Sequence, residues 1–112
     1  MQKYKQIALE FTQALVDGNF DQAYAMTTAE FQKRESLESL KKNFLRMTVE
    51  QDFQISGSIE VGTTEDASKF KYAKPGDAMF IYVSIPGDLW SEAVSVIVND
   101  SEKISSVEFG RP

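Results

Sequence analysis

The chain has 112 residues, 42% hydrophobic and 26% charged, which is the composition of a globular protein, and we expect one domain over residues 1–112. Seventeen acidic and twelve basic residues give a net charge of -5, which argues against nucleic acid and anionic lipid as partners. The absence of cysteine and histidine excludes disulfides, thiolate catalysis, Ser-His-Asp catalysis and zinc sites built on these residues.

The first predicted helix ends at a glycine corner. Apolar residues recur at steps of three and four between Tyr4 and Leu15, which predicts a helix with one buried face. Gly18 is expected to end this helix, because glycine tolerates the left-handed conformation common at helix C-termini. Asn19 is expected to cap a short second helix, with Gln22 completing a variant of the capping box.

Two further capping patterns follow the corner. Thr27 and Glu30 repeat the Thr-x-x-Glu pattern before Phe31. Ser36 can cap another helix, whose apolar stripe consists of Leu37, Leu40, Phe44 and Met47. The sequence therefore predicts three N-terminal helices.

From Asp52 onwards the hydrophobic period changes to two. Apolar and polar residues alternate over 52–61, which predicts a half-buried strand with a bulge or bend at Gly57. The remaining strands are predicted at Lys69 to Lys74, Ala78 to Ile85, Trp90 to Val98 and Ile104 to Phe109. The separators KPGD and IPGD suit type II turns. Helices followed by antiparallel strands with short connections predict an α+β domain with helices on one face of an up-and-down sheet.

These elements resemble a known superfamily. The corner ALVDGNFDQAYAMTTAEFQ, a third helix and four or five strands ending ISSVEFGRP are similar to the nuclear transport factor 2-like superfamily, in particular to its small, non-catalytic or uncharacterised bacterial members. The resemblance covers nearly the whole chain. It implies a cystatin-like, cone-shaped fold of three N-terminal helices packed on a curved antiparallel sheet of four to five strands. It also implies a pocket at the wide end of the cone. Many members have a short strand pair between the second and third helices, for which residues 27–35 carry no clear signal.

Six aromatic residues are the candidate lining of that pocket. The residues from the helices lie on the apolar stripes of their elements and are expected to converge over the sheet near the tyrosine or the tryptophan of the strands, with the tyrosine of the second helix as the polar group of the pocket. The alternative makes them core or dimer-interface residues, which is the commoner role of aromatic residues in a small α+β protein. The six are Phe11, Phe20, Tyr24, Phe44, Tyr82 and Trp90.

Only one enzymatic chemistry remains open, a carboxylate base assisted by a tyrosine donor. The carboxylates considered are Asp77, Glu92 and Glu108. Asp77 follows Pro-Gly in a turn, and the other two lie in alternating strands whose polar faces are expected to meet water. The sequence therefore assigns no catalytic residue. It favours a non-catalytic domain that binds a small ligand or a protein. The alternatives are an isomerase- or lyase-like enzyme acting on a small apolar substrate, and a structural homodimerisation module or immunity-type protein.

The expected partners follow from the same patterns. A homodimer is expected because the strand around Val94 has apolar residues on both faces, more than three helices can cover. A small apolar ligand or a protein is the other expected partner, and no nucleic acid, membrane, metal or cofactor is expected. The N-terminal MQKYKQIALEF lacks the apolar core of a secretory signal, which makes the cytoplasm the default location. An exported or membrane-tethered origin fits equally if a leader has been removed.

Overall fold

The structure, a computed structural model, describes residues 2–110. The helices are α1 (Gln2–Val16), α2 (Phe20–Ala25), α3 (Ala29–Arg34) and α4 (Leu37–Met47). The strands are β1 (Glu60–Asp66), β2 (Asp77–Ile85), β3 (Glu92–Asn99) and β4 (Ile104–Phe109). Single-turn 3-10 helices occur at Val49–Gln51 and Ala67–Lys69. None of the helices within residues 2–110 combines the length and hydrophobicity that crossing a bilayer requires.

The fold is α+β, as predicted. The four strands form one antiparallel sheet in the order β1-β2-β3-β4, so the expected up-and-down order is confirmed. The helices pack on one face, with α1 against β1, β2 and β3. We call this the inner face and the opposite one the outer face.

The core fills the space between α1 and the inner face. Phe11 and Leu15 of α1 are completely buried. They belong to one cluster with the alternate residues of the central strands, because successive side chains of a strand point to opposite faces. Those strand residues are Ile81, Val83 and Ile85 of β2 and Val94, Val96 and Val98 of β3.

The corner between α1 and α2 is confirmed, but its capping differs from the prediction. Gly18 has a φ of +80°, and its N–H donates to the Leu15 carbonyl while the Asn19 N–H donates to the Ala14 carbonyl. This pair of bonds is a Schellman motif, which satisfies the last carbonyls of α1. The predicted capping box is wrong, since the Asn19 side chain makes no cap bond. The backbone of Asn19 instead completes the end of α1.

The segment after α2 contains one more helix than the three predicted. Thr28, not Thr27, caps α3 by accepting from the Phe31 N–H at 3.0 Å. Thr27 forms a parallel bridge with Ile104, so this segment pairs with the start of β4 at a single point. The predicted cap at Ser36 is confirmed, since its hydroxyl accepts from the Ser39 N–H.

The strand predicted over 52–61 is wrong for most of its length. Residues 52–59 form an irregular segment with one antiparallel bridge, Ile55 to Gly87, and β1 starts only at Glu60. Asp52 and Gly57 have positive φ values of 55° and 92°, which interrupt an extended backbone. Alternation alone is not sufficient for a strand, because a strand also needs a continuous partner.

The strand predicted from Lys69 to Lys74 is also wrong. Residues 67–74, which we call the strap, begin with a 3-10 turn and fold back over the outer face. Phe70 packs on Phe80 of β2 with ring centroids 4.8 Å apart. The alternation of lysine and aromatic residues therefore reflects two rings packed on the sheet rather than pairing within it.

The two PGD sequences have different structures. Gly76 has a φ of +92°, and the Asp77 N–H donates to the Lys74 carbonyl, so the first is the predicted type II turn. Gly87 has no positive φ but is closely packed, since a Cβ there would clash with the Phe53 ring. The prediction of a type II turn at the second PGD is therefore wrong.

Candidate functional site

The structure does not bring the six aromatic candidates into one pocket. Phe11 and Phe44 lie in the buried core, and Phe20 of α2 contacts Phe44 edge-on with centroids 6.0 Å apart. These three therefore share the helical side of the molecule. They contribute packing there, and the space around Phe11 is filled.

Of the other three candidates, Tyr24 and Trp90 pack against the same core cluster, but each has its own partner. The Tyr24 hydroxyl donates to the Glu35 carbonyl at 2.8 Å, so it ties α2 to the end of α3. Trp90 packs on Phe53 with centroids 5.4 Å apart. Tyr82 points to the outer face of β2, where its ring lies over Gly62 of the neighbouring strand. The sheet therefore separates Tyr82 from the candidates on the helices.

A pocket of about 510 Å³ opens on the helical side, and we call it the mouth pocket. It lies between the C-terminal end of α4 with the 3-10 turn behind it, the start of β3 and the end of β4. Its volume is in the range of small-molecule sites. Its lining combines polar side chains with an apolar wall, and includes Asn43, Arg46, Gln51, Glu92, Val107, Glu108 and Phe109.

Glu92 is the chemically distinctive residue of the mouth pocket. It is 7% exposed, and one carboxylate oxygen accepts from the Trp90 indole N–H at 2.9 Å. The expectation that Glu92 meets water is therefore wrong. It pairs with Ile85 and is in phase with Val94, so it belongs to the inner-face series of β3. That phase is visible in the sequence and could have revealed its inward direction.

A second pocket, of about 410 Å³, lies on the outer face between the strap and the sheet. We call it the outer groove. It is bounded by five aromatic rings, from Phe70 and Tyr72 of the strap, Phe80 and Tyr82 of β2, and Phe109 of β4. Polar groups on its lining come from Thr63, Glu65, Ser95 and Glu108.

The outer groove contains a contact between a tyrosine and a carboxylate. The Tyr72 hydroxyl donates to Glu108 at 3.4 Å, and the pKa of Tyr72 is raised, first by partial burial and then by the Glu108 charge. Glu108 is exposed, as its position in the strand predicts. A general base needs a carboxyl group shielded enough to titrate near the working pH. This pair lacks that shielding and therefore gives no catalytic site.

The third carboxylate considered, Asp77, has a structural role. One oxygen accepts from the Ser105 hydroxyl at 2.7 Å, and the other accepts from the Lys74 N–H at 2.9 Å. Asp77 thus links the turn before β2 to β4. Within residues 2–110, no three His, Cys, Asp or Glu side chains are grouped so that they could hold a metal ion.

Comparison with known proteins does not identify a family. No family model, curated protein or solved structure matches the chain. The functional argument therefore depends on the two pockets and their chemistry.

Proposed function

We propose that this chain is a non-catalytic binding domain of the nuclear transport factor 2-like type, and that it binds a small ligand in the mouth pocket. The order of elements supports the family, with helices first, α1 across the sheet and an antiparallel meander afterwards. The fold alone does not assign a function, so the proposal depends on the pocket.

The observation that carries the proposal is the buried carboxylate of Glu92 at the edge of a pocket of ligand size. Carboxylates are seldom buried unless something satisfies them, and the Trp90 indole accounts for one bond. A ligand with a hydrogen-bond donor would satisfy the carboxylate further. Arg46 on the same lining suits an acceptor or anionic group at the other end of the ligand, while Val107 and Phe109 suit an apolar body.

Thermal stabilisation by amino-acid-sized compounds, followed by calorimetric titration of those that stabilise, tests this proposal. A compound that binds the folded state raises the melting temperature by mass action. We expect Glu92→Gln to weaken binding about tenfold or more while the protein stays folded, because it replaces the charged acceptor. Glu10→Gln, an exposed change on α1, is the matched control and should leave affinity unchanged. Binding that is indifferent to Glu92→Gln would contradict the proposal.

The carboxylate enzyme remains the second candidate, because the same buried Glu92 could act as a base. The tyrosine that this chemistry requires is not on the mouth pocket: among the described lining residues none is a tyrosine, and the Tyr24 hydroxyl is bonded elsewhere. Binding is therefore favoured over turnover. Product formation from a bound compound, lost in Glu92→Gln, would reverse that preference.

A further inference from the structure

The outer groove has a floor formed by the sheet and a wall formed by the strap. Tyr82, Ser95 and Glu108 are aligned across β2, β3 and β4, since Ser95 pairs with both of the others. Glu65 of β1 pairs with Phe80 in the neighbouring row. The floor therefore has aromatic residues on β2, with one carboxylate on β1 and another on β4.

The strap adds two more rings above this floor. Phe70 packs on Phe80 at 4.8 Å and on Tyr72 at 5.6 Å, with the rings tilted by 39° and 40°. The Tyr72 hydroxyl contacts Glu108, which places the end of the wall beside a negative charge. Phe80 of the floor and Phe70 and Tyr72 of the wall thus form a continuous aromatic surface that ends at a carboxylate.

The charges of the groove have one sign. The described residues that line it include two carboxylates, Glu65 and Glu108, and no basic side chain. The whole chain is also acidic, with a net charge of -5. Aromatic faces attract cations through their quadrupole, and nearby carboxylates add to that attraction. The groove is thus complementary to positive charge on a compact apolar body.

We infer that the outer groove is a binding site for a small organic cation of the alkylammonium class. The groove adjoins the mouth pocket at the end of β4, where Glu108, Phe109 and Gly110 line both. The aromatic rings contact the alkyl groups of the cation, and Glu65 and Glu108 neutralise its charge. A volume of about 410 Å³ accommodates a molecule of this size. A second copy of the chain is a poorer occupant, because a twofold contact would place the same carboxylates of both copies near each other.

Choline and its neutral isostere 3,3-dimethyl-1-butanol form the critical pair of probes. Each is titrated into ¹⁵N-labelled protein at low salt, and chemical shifts are followed residue by residue. We expect choline to bind about fivefold or more tightly than the neutral alcohol and to shift the strap and the outer-face residues of β2. Equal binding of the two, or choline shifts confined to the helical side, would overturn the inference.

Two variants test the two components of the site. Phe80→Leu keeps an apolar side chain but removes an aromatic face, and Glu108→Gln removes one charge with little change of shape. Each is expected to weaken choline binding about threefold or more, while Glu10→Gln leaves it unchanged. If Phe80→Leu fails to fold, Glu108→Gln still tests the site, because Glu108 is exposed and its replacement is expected to leave the fold intact. Unchanged affinity in Glu108→Gln would overturn the inference.

Two further results would also overturn the inference of a cation site in the outer groove. Arg111 follows the groove residue Gly110 in the sequence and lies outside the described residues. Arg111→Ala should therefore bind choline at least as tightly as the parent chain, and loss of binding would contradict a cation site. Outer-face shifts that depend on protein concentration and not on choline would instead identify a second copy as the occupant.

Discussion

Thr12 lies in the middle of α1 with its side chain fully buried. Its hydroxyl is the one buried side-chain polar atom within residues 2–110 that has no hydrogen-bond partner. A buried hydroxyl without a partner loses its bonds to water and gains none in return. Thr12 therefore reduces the stability of the core that it helps to fill.

We expect Thr12→Val to raise the free energy of unfolding by about 1 kcal/mol, because the replacement has a similar shape and no polar group. Chemical denaturation at constant pH measures the change. Thr12→Ser is the control: it keeps the hydroxyl, loses a methyl group and should destabilise. A loss of stability in Thr12→Val would show that the hydroxyl has a partner, such as a buried water.

The ionisation of the Tyr72 phenol makes the stability of the protein depend on pH. Partial burial and the nearby Glu108 raise its pKa above the ordinary value of 10.0. The folded state therefore holds the phenol proton more tightly than the unfolded chain does. The resulting stabilisation is complete below about pH 10 and is lost as the pH rises through the folded-state pKa.

We expect Glu108→Gln to lower the pKa of Tyr72, since the substitution removes the negative charge that opposes ionisation. Partial burial remains, so the pKa should stay on the high side of its ordinary value. Ultraviolet or NMR titration of the tyrosines, with Tyr72→Phe to assign the signal, measures the shift. A pKa that does not move would show that Glu108 has no electrostatic effect on Tyr72.

At the scale of elements, the direction of α2 depends on the left-handed residue between it and α1. A Cβ on Gly18 would meet no atom within 4 Å, so a larger side chain has room. Its φ of +80° is nevertheless unfavourable for residues with a Cβ. Any cost of substitution here therefore comes from the backbone conformation alone.

We expect Gly18→Val to destabilise the protein by about 1 kcal/mol or more, and Gly18→Asn by less, because asparagine tolerates the left-handed region. Thermal or chemical unfolding of the two variants side by side measures the difference. Equal costs for valine and asparagine would contradict the assignment of the penalty to φ.

At the scale of the whole molecule, the homodimer remains a prediction, but part of the apolar surface that suggested it is covered within the single chain. The second face of β3 was expected to need a partner, yet Ile97 on that face is only 2% exposed within the single chain. The strap, packed on the adjacent Phe80, lies on the same face. Apolar surface is still exposed elsewhere, and Leu89 is 88% exposed.

Light scattering at micromolar concentration should give twice the chain mass of 12.6 kDa if the homodimer forms. Burial of exposed apolar surface is the expected driving force, so Leu89→Asp should shift the mass towards that of one chain. The melting temperature of the parent chain should also rise with protein concentration. A stable monomer would contradict the prediction.

A metal-free protein is the second prediction at this scale. The chain lacks cysteine and histidine, and its described carboxylates form no cluster suited to a metal ion. We therefore expect a chelator to leave the melting temperature unchanged, because no bound ion contributes to stability. A fall of several degrees in chelator, reversed by adding a divalent cation, would reveal an oxygen-ligand site.

The candidate site could be predicted from sequence only in small part. Tyr82 lines a pocket, but on the outer face, while Phe11 and Phe44 contribute to the core. Glu92 was considered and assigned to the wrong environment. An apolar stripe shows that a side chain is buried, but it does not show whether a cavity or another side chain lies opposite.

The sequence by itself determined the elements whose signals are local. These include the glycine corner, the cap at Ser36, the last three strands and the α+β class. Backbone preference, capping and hydrophobic period act within a few residues, so they can be read from the chain. Only the tertiary structure decided the irregular course of 52–59, the strap on the outer face and the burial of Glu92. Each of these depends on which distant backbone is available for pairing and on which face a neighbouring segment covers. The alternation of apolar and polar residues in one segment is the same whether that segment pairs as a strand or not.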